Sequence, residues 1–275
     1  MLQKSIDAVA AESIGIEWSM SVRDNTGREL AVLDADRVLN TASVGKLLLL
    51  IEVARRSAAD DLDGATLLSR STAPWAADSG LWQHLGIEQL SVDDLCVLVA
   101  SVSDNLATNV LLEHVGVQSV KALAESLGLA HTALLDYVRD HRDVADPPTL
   151  STGTASELSD LTSRLSRRQV VSEAVSDRVN GWLATGVDLS MIASGLGLDP
   201  LTHAASSRVW FVRNKTGADE GIRADVGTIG RGAEGYAYAV VANWDVNGTD
   251  RSAAALSGMR AVGIALKTAI DRSAT

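Results

Sequence analysis

The sequence predicts an α+β fold: a five-stranded antiparallel sheet flanked by the terminal helices, with an all-helical lobe inserted between strands two and three. Two observations predict it. Strand-like runs occur only near the two ends of the chain, and residues 42 to about 204 carry helical patterning broken by glycines and short polar loops. The composition, 46% hydrophobic and 21% charged over 275 residues, is that of a folded globular chain.

The elements follow in order. Residues 2–12 place Leu2, Ile6, Val9 and Ala10 on one helical face. The strand-like runs 15–22 and 28–34 flank Asp24-Asn25-Thr26-Gly27, a tetrapeptide suited to a hairpin turn. Helices are expected over 44–56, 91–101, 105–115, 118–127, 155–166, 172–184 and 189–196. Strand character returns in 208–214, 222–229 and 236–243, and a last helix covers roughly 252–270. The expected division is 1–41 plus 205–275 for the sheet lobe and 42–204 for the helical lobe, with a small-molecule site in the cleft between them.

Three short motifs carry chemistry. Ser43-Val44-Gly45-Lys46 opens a helix whose next five residues are all apolar, so Lys46 enters a buried first turn. A buried ammonium needs partners or loses its proton, and Lys46 shares a helix face with Ser43, the only serine three places before any of the five lysines. That pairs a serine nucleophile with a base beside the free N–H groups of a helix start. The alternative is an N-cap serine and a lysine that snorkels to solvent. Ser103-Asp104-Asn105 reads as a helix cap or as a polar cluster between two helices. Lys215-Thr216-Gly217 falls at the end of an expected strand, where lysine and a turn glycine are also ordinary.

Ser-x-x-Lys, Ser-Asp-Asn and Lys-Thr-Gly, in that order, are the established signature of class A β-lactamases and penicillin-binding proteins. The chain resembles that family from the first strand to the last helix, including the interval of 60 residues from Ser43 to Ser103 and the stretch from Leu90 to Cys96. The resemblance implies a two-lobe serine β-lactamase-like fold and an acyl-enzyme mechanism. Ser43 would be the nucleophile and Lys46 its base or relay. Ser103 would pass a proton to the leaving nitrogen, with Lys215 holding its hydroxyl. Asn105 would bind the substrate amide and Thr216 the substrate carboxylate, next to Gly217. The N–H groups of Ser43 and Ala218 would form the oxyanion hole, and Arg223 would assist with the carboxylate. Pairing of Arg223 with Asp225, Glu220 or another acid is the competing reading.

One departure bears on turnover. Class A enzymes carry a glutamate on an omega loop that activates the deacylating water. Here the family's spacing puts Tyr137 at the usual arginine and Arg139 at the usual glutamate, and no glutamate lies between Glu125 and Glu157. Asp140 or Asp143 is the substitute after a shift of register, with His141 beside them; each also reads as a solvated loop residue.

The function expected is an active-site-serine hydrolase that opens β-lactams, with slow deacylation. The alternatives are a β-lactam-independent esterase, amidase or D-Ala carboxypeptidase, or an acylatable binding or sensor module. No Gly-x-Ser-x-Gly elbow is present, and His84, His114, His131, His141 and His203 lack His-Glu-x-x-His spacing. The single cysteine, Cys96, excludes an intramolecular disulfide and a cysteine-based zinc cage. No metal and no cofactor are expected.

A net charge of −11 argues against general affinity for nucleic acid. The partner that the resemblance implies is a small-molecule β-lactam or related amide or ester. The longest strictly apolar runs, Leu95–Ala100 and Tyr236–Ala242, are far short of the ~20 residues of a membrane span. Residues 1–5 lack a signal-peptide pattern, which points to the cytoplasm, or to a secreted or periplasmic location if a signal was removed.

Overall fold

The computed structural model describes residues 1–200 and 209–273. His203, Arg208 and the expected boundary at 204/205 lie outside the described residues. Helix α1 (Leu2–Glu12) leads into strands β1 (Glu17–Asp24) and β2 (Glu29–Leu33). Seven further helices follow: α2 (Lys46–Ala58), α3 (Val92–Val102), α4 (Asn105–Val115), α5 (Val117–Ser126), α6 (Ala155–Ser166), α7 (Glu173–Leu183) and α8 (Ser252–Ser273). Strands β3 (Trp210–Asp219), β4 (Ile222–Arg231) and β5 (Glu234–Asn243) precede α8.

The sheet is antiparallel throughout and ordered β2-β1-β5-β4-β3, so β3 is an edge. Its first turn forms as the sequence predicts. Asp24 Oδ1 accepts from Thr26 N at 2.9 Å and Arg28 N at 3.0 Å, and Gly27 takes a φ of 90°.

Alternation gives the sheet two buried faces. Trp18, Met20, Val22, Tyr238 and Val240 pack toward α1 and α8. Ala224, Val226, Ala239 and Val241 join the core built on the all-apolar start of α2. Helix α6 comes from the middle of the chain yet packs on the sheet, where Ser159 Oγ meets Ser21 Oγ at 2.8 Å. Helix α8 is long and apolar enough to cross a membrane by length and composition, and its Met259, Val262 and Leu266 are buried in the terminal-helix core.

Three expectations are corrected. The helix expected over 189–196 is a single 3₁₀ turn, Ile192–Leu196. Tertiary contact overrides periodicity there: Gly195 and Gly263 let the turn press backbone-to-backbone on α8, and a Cβ on Gly263 would come within 1.9 Å of Ile192 O. The third strand runs on to Asp219, so Lys215-Thr216-Gly217 lies inside it and pairs with Val226, Asp225 and Ala224. The turn comes later, at Gly221 with a φ of 70°. The middle of the chain also holds short antiparallel ribbons that periodicity missed: Leu67–Ser69 with Gln89–Ser91, and Ser151–Gly153 with both Leu39–Asn40 and Ala133–Leu134.

Candidate active site

Ser43 sits in a 3₁₀ turn, Ala42–Gly45, that leads directly into α2. Neighbours from three parts of the chain fix this turn. Asn243 exchanges two hydrogen bonds of 2.9 Å with the backbone of Asn40. Ser151 donates to Ala42 O at 2.5 Å and meets Thr41 Oγ1 at 2.7 Å. Gly217 of β3 lies against it so closely that a Cβ there would stand 2.3 Å from Thr41 O and 3.1 Å from Ser43 N. Thus Gly217 is needed for close approach to the nucleophile turn rather than for a chain reversal. Ala42, immediately before Ser43, holds a left-handed φ of 47°, a strained conformation held by these contacts.

Lys46 is fully buried, which removes the snorkelling alternative. Its Nζ donates to Ser103 O at 2.7 Å, Asn105 Oδ1 at 2.7 Å and Ser103 Oγ at 3.3 Å. Among the described residues no hydrogen bond joins it to Ser43 Oγ. Ser103 closes α3 with a left-handed φ of 56°, and Asp104 then caps α4 by accepting from Ala107 N at 2.9 Å. Asp104 also accepts from Leu81 N at 2.7 Å and Trp82 N at 2.8 Å, so the Ser-Asp-Asn segment is both a helix cap and a clamp on the preceding loop. Lys215 reaches the same Ser103 Oγ from the sheet at 3.1 Å and donates to Thr216 O at 2.8 Å.

Two buried amines therefore face one hydroxyl. Burial first, then the charge of Lys215, pushes the Lys46 pKa well below the ordinary lysine value; Asp104 opposes this. Burial lowers Lys215 to about 8, with Asp188 and Asp225 pulling the other way. Behind β3, buried Asp225 accepts from Asn214 Nδ2 at 3.0 Å, Tyr238 Oη at 3.1 Å and Ile192 N at 3.0 Å. Burial raises its pKa to about 7 despite those hydrogen bonds.

A cavity of about 480 Å³ opens onto Ser43, Ser103, Asn105, Lys215, Thr216 and Ala218. The Asn105 amide is engaged at both ends, accepting from Lys46 and donating to Ala77 O at 2.8 Å. Arg223 stands apart from the cavity lining. Its guanidinium donates to Asp219 O at 2.9 Å and Ile222 O at 2.7 Å and lies 5.7 Å from the Trp244 ring centroid. Backbone carbonyls and an aromatic face hold the cation, and its charge also acts on nearby Asp250.

The loop that follows α5 forms the opposite wall. Asp136, which sequence reasoning passed over, ties it: Oδ2 accepts from Arg139 Nε at 2.7 Å and Arg142 at 2.8 Å. Arg139 also pairs with Asp146 at 3.2 Å. Burial alone would raise the Asp136 pKa, but the Arg139, Tyr137 and Arg142 hydrogen bonds outweigh it and hold it below the ordinary value. Asp140 lines the cavity and accepts from Ala77 N at 3.2 Å; Asp143 and His141 are exposed and outside the lining. Asn109 of α4, fully buried, clamps the loop through Val138 N at 2.8 Å and Val138 O at 2.9 Å. The signal for it was a polar residue one helical turn after Asn105 in an apolar helix. Among the described residues no group of three or more His, Cys, Asp or Glu is arranged to hold a metal.

Comparison with known proteins gives a consistent pattern. The family described as the beta-lactamase enzyme family matches residues 1–263. A "Beta-lactamase regulatory protein BlaB" from Streptomyces cacaoi is 31% identical over 131 residues, 46% of this chain and 41% of that protein, so the match spans less than half of either. Among solved structures, a β-lactamase from Sphaerobacter thermophilus superposes with a TM-score of 0.82 at 23% identity, covering 98% of both chains. PBP-A superposes at 0.80 and 17% identity, covering 98% of this chain and 96% of that one. A class A β-lactamase from Mycobacterium abscessus superposes at 0.74 and 20%, covering 98% and 100%.

Proposed function

Given that the chain belongs to the beta-lactamase enzyme family, we propose that it is an active-site-serine hydrolase that forms an acyl-enzyme on Ser43, with β-lactams or related amides and esters as substrates and slow release of the acyl group. The observation that carries this reading is the buried pair of amines on Ser103. A neutral Lys46 keeps two N–H donors for Ser103 O and Asn105 Oδ1, both at 2.7 Å, and offers its lone pair to the Ser43 proton. Burial and the charge of Lys215 both push the Lys46 pKa down, in the direction that favours the neutral amine.

Ser43 Oγ attacks the carbonyl carbon, and the N–H groups of Ser43 and Ala218 receive the oxyanion. The close approach of Gly217 to the Ser43 turn supports this placement. As the acyl bond to the leaving group breaks, Ser103 gives up its proton to that group, and charged Lys215 at 3.1 Å stabilises the hydroxyl as it does so. The site takes shape where segments 1–41 and 205–275 meet segment 42–204, which we take as the two lobes.

Release needs a water that loses a proton, and the loop wall presents Arg139, whose guanidinium stays protonated and is bound to Asp136. Asp140 is the carboxylate of that loop that lines the cavity. A second reading, a sensor that is acylated and not turned over, draws support from the same missing carboxylate. A PBP-A variant is known as an acyl-enzyme complex with penicillin G, and the relative from Streptomyces cacaoi is a regulatory protein. Intact mass after exposure to a penicillin, followed over hours, tests both. An adduct that forms and slowly clears supports the hydrolase, one that never clears supports the sensor, and no adduct overturns β-lactam acylation.

A further inference from the structure

Away from the catalytic cleft, the end of α6 meets β3 and β4 around three buried polar atoms that lack hydrogen-bond partners among the described residues. They are Ser163 Oγ, Thr228 Oγ1 and Arg167 Nε, and Ser163 and Thr228 are only 2% and 4% exposed. A buried donor left unpaired is costly, so such atoms mark a missing partner. Ser163 and Thr228 line a cavity of about 60 Å³, together with Ser166 and Phe211. Ser166 also lines a wider cavity of about 330 Å³ that Arg213 borders. Neither cavity shares a lining residue with the one at Ser43.

Two cations flank these hydroxyls. Arg213 is the cross-strand neighbour of Thr228, and its guanidinium lies 5.1 Å from the centroid of the Phe211 ring. Arg167 stands one helical turn beyond Ser163, and a Cβ on Gly27 would come within 2.9 Å of its Nη2 and 3.4 Å of Ser163 Oγ. The helix dipole accounts for an arginine at the end of α6, but not for a buried Nε without an acceptor. Among the described residues neither guanidinium joins an ion pair or a hydrogen bond, in a chain of net charge −11. Burial pushes the Arg213 pKa below its ordinary value, with Asp177 opposing, and the group stays protonated. The carboxylates nearby are already engaged: Asp177 by Arg168 at 2.6 Å, and Asp24 by Thr26 N at 2.9 Å and Arg28 Nε at 3.1 Å.

We propose that this junction is a second binding site, for a phosphate group, with Arg213 as its charge partner and Ser163, Ser166 and Thr228 as hydroxyl donors. Each orphaned atom can donate, and Arg167 Nε can only donate, so the missing partner is an acceptor. The donors come from α6, β3 and β4 and approach from different directions, which suits tetrahedral oxygens better than a flat carboxylate. The wider cavity leaves room for the alcohol part of a phosphomonoester. Ordered water would pair the hydroxyls equally well, but it leaves two guanidinium charges without a counter-ion. The site does not depend on the serine-hydrolase reading.

Calorimetric titration of the full chain with inorganic phosphate, at neutral pH and fixed ionic strength, tests this. One saturable site is expected. Arg213→Gln should weaken it about tenfold or more, the worth of a charge-assisted hydrogen bond, and Thr228→Val about fivefold. Thermal unfolding separates the ion from ordered water. Without phosphate, Thr228→Val should unfold no lower than wild type, since the hydroxyl it removes has no partner; with phosphate, the wild type should unfold higher. Absence of saturable binding to the wild-type chain overturns the proposal, whether or not the variants fold. Binding unchanged in Arg213→Gln puts the ion elsewhere, such as the cavity at Ser43, and overturns it as well. So does a Thr228→Val transition lowered equally with and without phosphate, the mark of water only. Glycerol phosphate as second titrant distinguishes the sources of the group: equal affinity supports a phosphomonoester, and binding of the free ion alone supports inorganic phosphate.

Discussion

On the side of the cavity that carries Ser43, Lys46 and Lys215 are 0% and 2% exposed, and apart from the bond of Lys215 to Thr216 O their hydrogen bonds run to the Ser103–Asn105 segment. On the opposite side, the loop around Asp136 settles its charges by itself, with Arg139 and Arg142 side chains 34% and 21% exposed and both tied to one carboxylate a few residues away. Long-range contacts hold the first wall, and a local knot holds the second. A constellation assembled from distant segments keeps its geometry because the whole fold must give way before it does. A local ion-pair knot can form around many sequences, and it leaves Arg139 where the resemblance expects a water-activating carboxylate.

The largest expected effect probes the first wall. Ser43→Ala should abolish labelling by a β-lactam or fluorophosphonate while the thermal transition stays in place, since the hydroxyl makes no hydrogen bond among the described residues. Labelling that persists in the variant would sink the assignment. Next, Lys46→Ala should slow acylation by about 10²–10⁴-fold, the usual worth of a positioned base. Stability need not fall, because the change also removes a buried amine. In the wild-type protein the acylation rate should rise with pH as Lys46 loses its proton and fall again through about pH 8 as Lys215 loses its own. A rate that still climbs at pH 9 would contradict the role given to Lys215.

The second wall should respond more weakly. A penicillin adduct on Ser43 should be long-lived, and Asp140→Asn should prolong it about tenfold, whereas Asp143→Asn should not, because Asp143 lies outside the cavity lining. The opposite pattern by time-resolved mass spectrometry would exchange their roles. Arg139→Glu alone should not speed release: the new carboxylate would face Asp136 and Asp146, the present partners of Arg139, and would loosen the loop. Asp136→Ala should lower stability by about 2 kcal/mol, as it leaves two guanidinium groups without their shared acceptor. Denaturant unfolding checks that value. The smallest effect concerns Cys96, a buried thiol whose pKa burial pushes far up. Native protein should be inert to thiol reagents, and fast modification would mean that α3 opens readily.

The same contrast governs what was legible beforehand. Ser43, Lys46, Ser103 and Lys215 could be singled out because the three motifs together resemble a known signature and each sits at a local landmark (a helix start, a helix cap, a strand); the structure brings them together around Ser103. The loop wall was not readable, since Asp136 differs from Asp140 and Asp143 only in which arginines it meets, and sequence spacing does not encode that.

By itself the sequence determined the α+β class, the order of the five main-sheet strands and the eight α-helices, and the buried entry of Lys46, because hydrophobic periodicity and an all-apolar α2 leave few alternatives. Only the tertiary structure decided the rest. It turned the helix expected over 189–196 into one 3₁₀ turn against α8, carried β3 on through Lys215-Thr216-Gly217, and set Gly217 against the Ser43 turn. It also turned Arg223 to Trp244 and left Asp188 in the cavity without an ion-pair partner among the described residues. The physical reason is common to all of these. Periodicity reports which side of an element faces the core, whereas backbone contacts at glycine and the pairing of charges depend on neighbours far away in the chain.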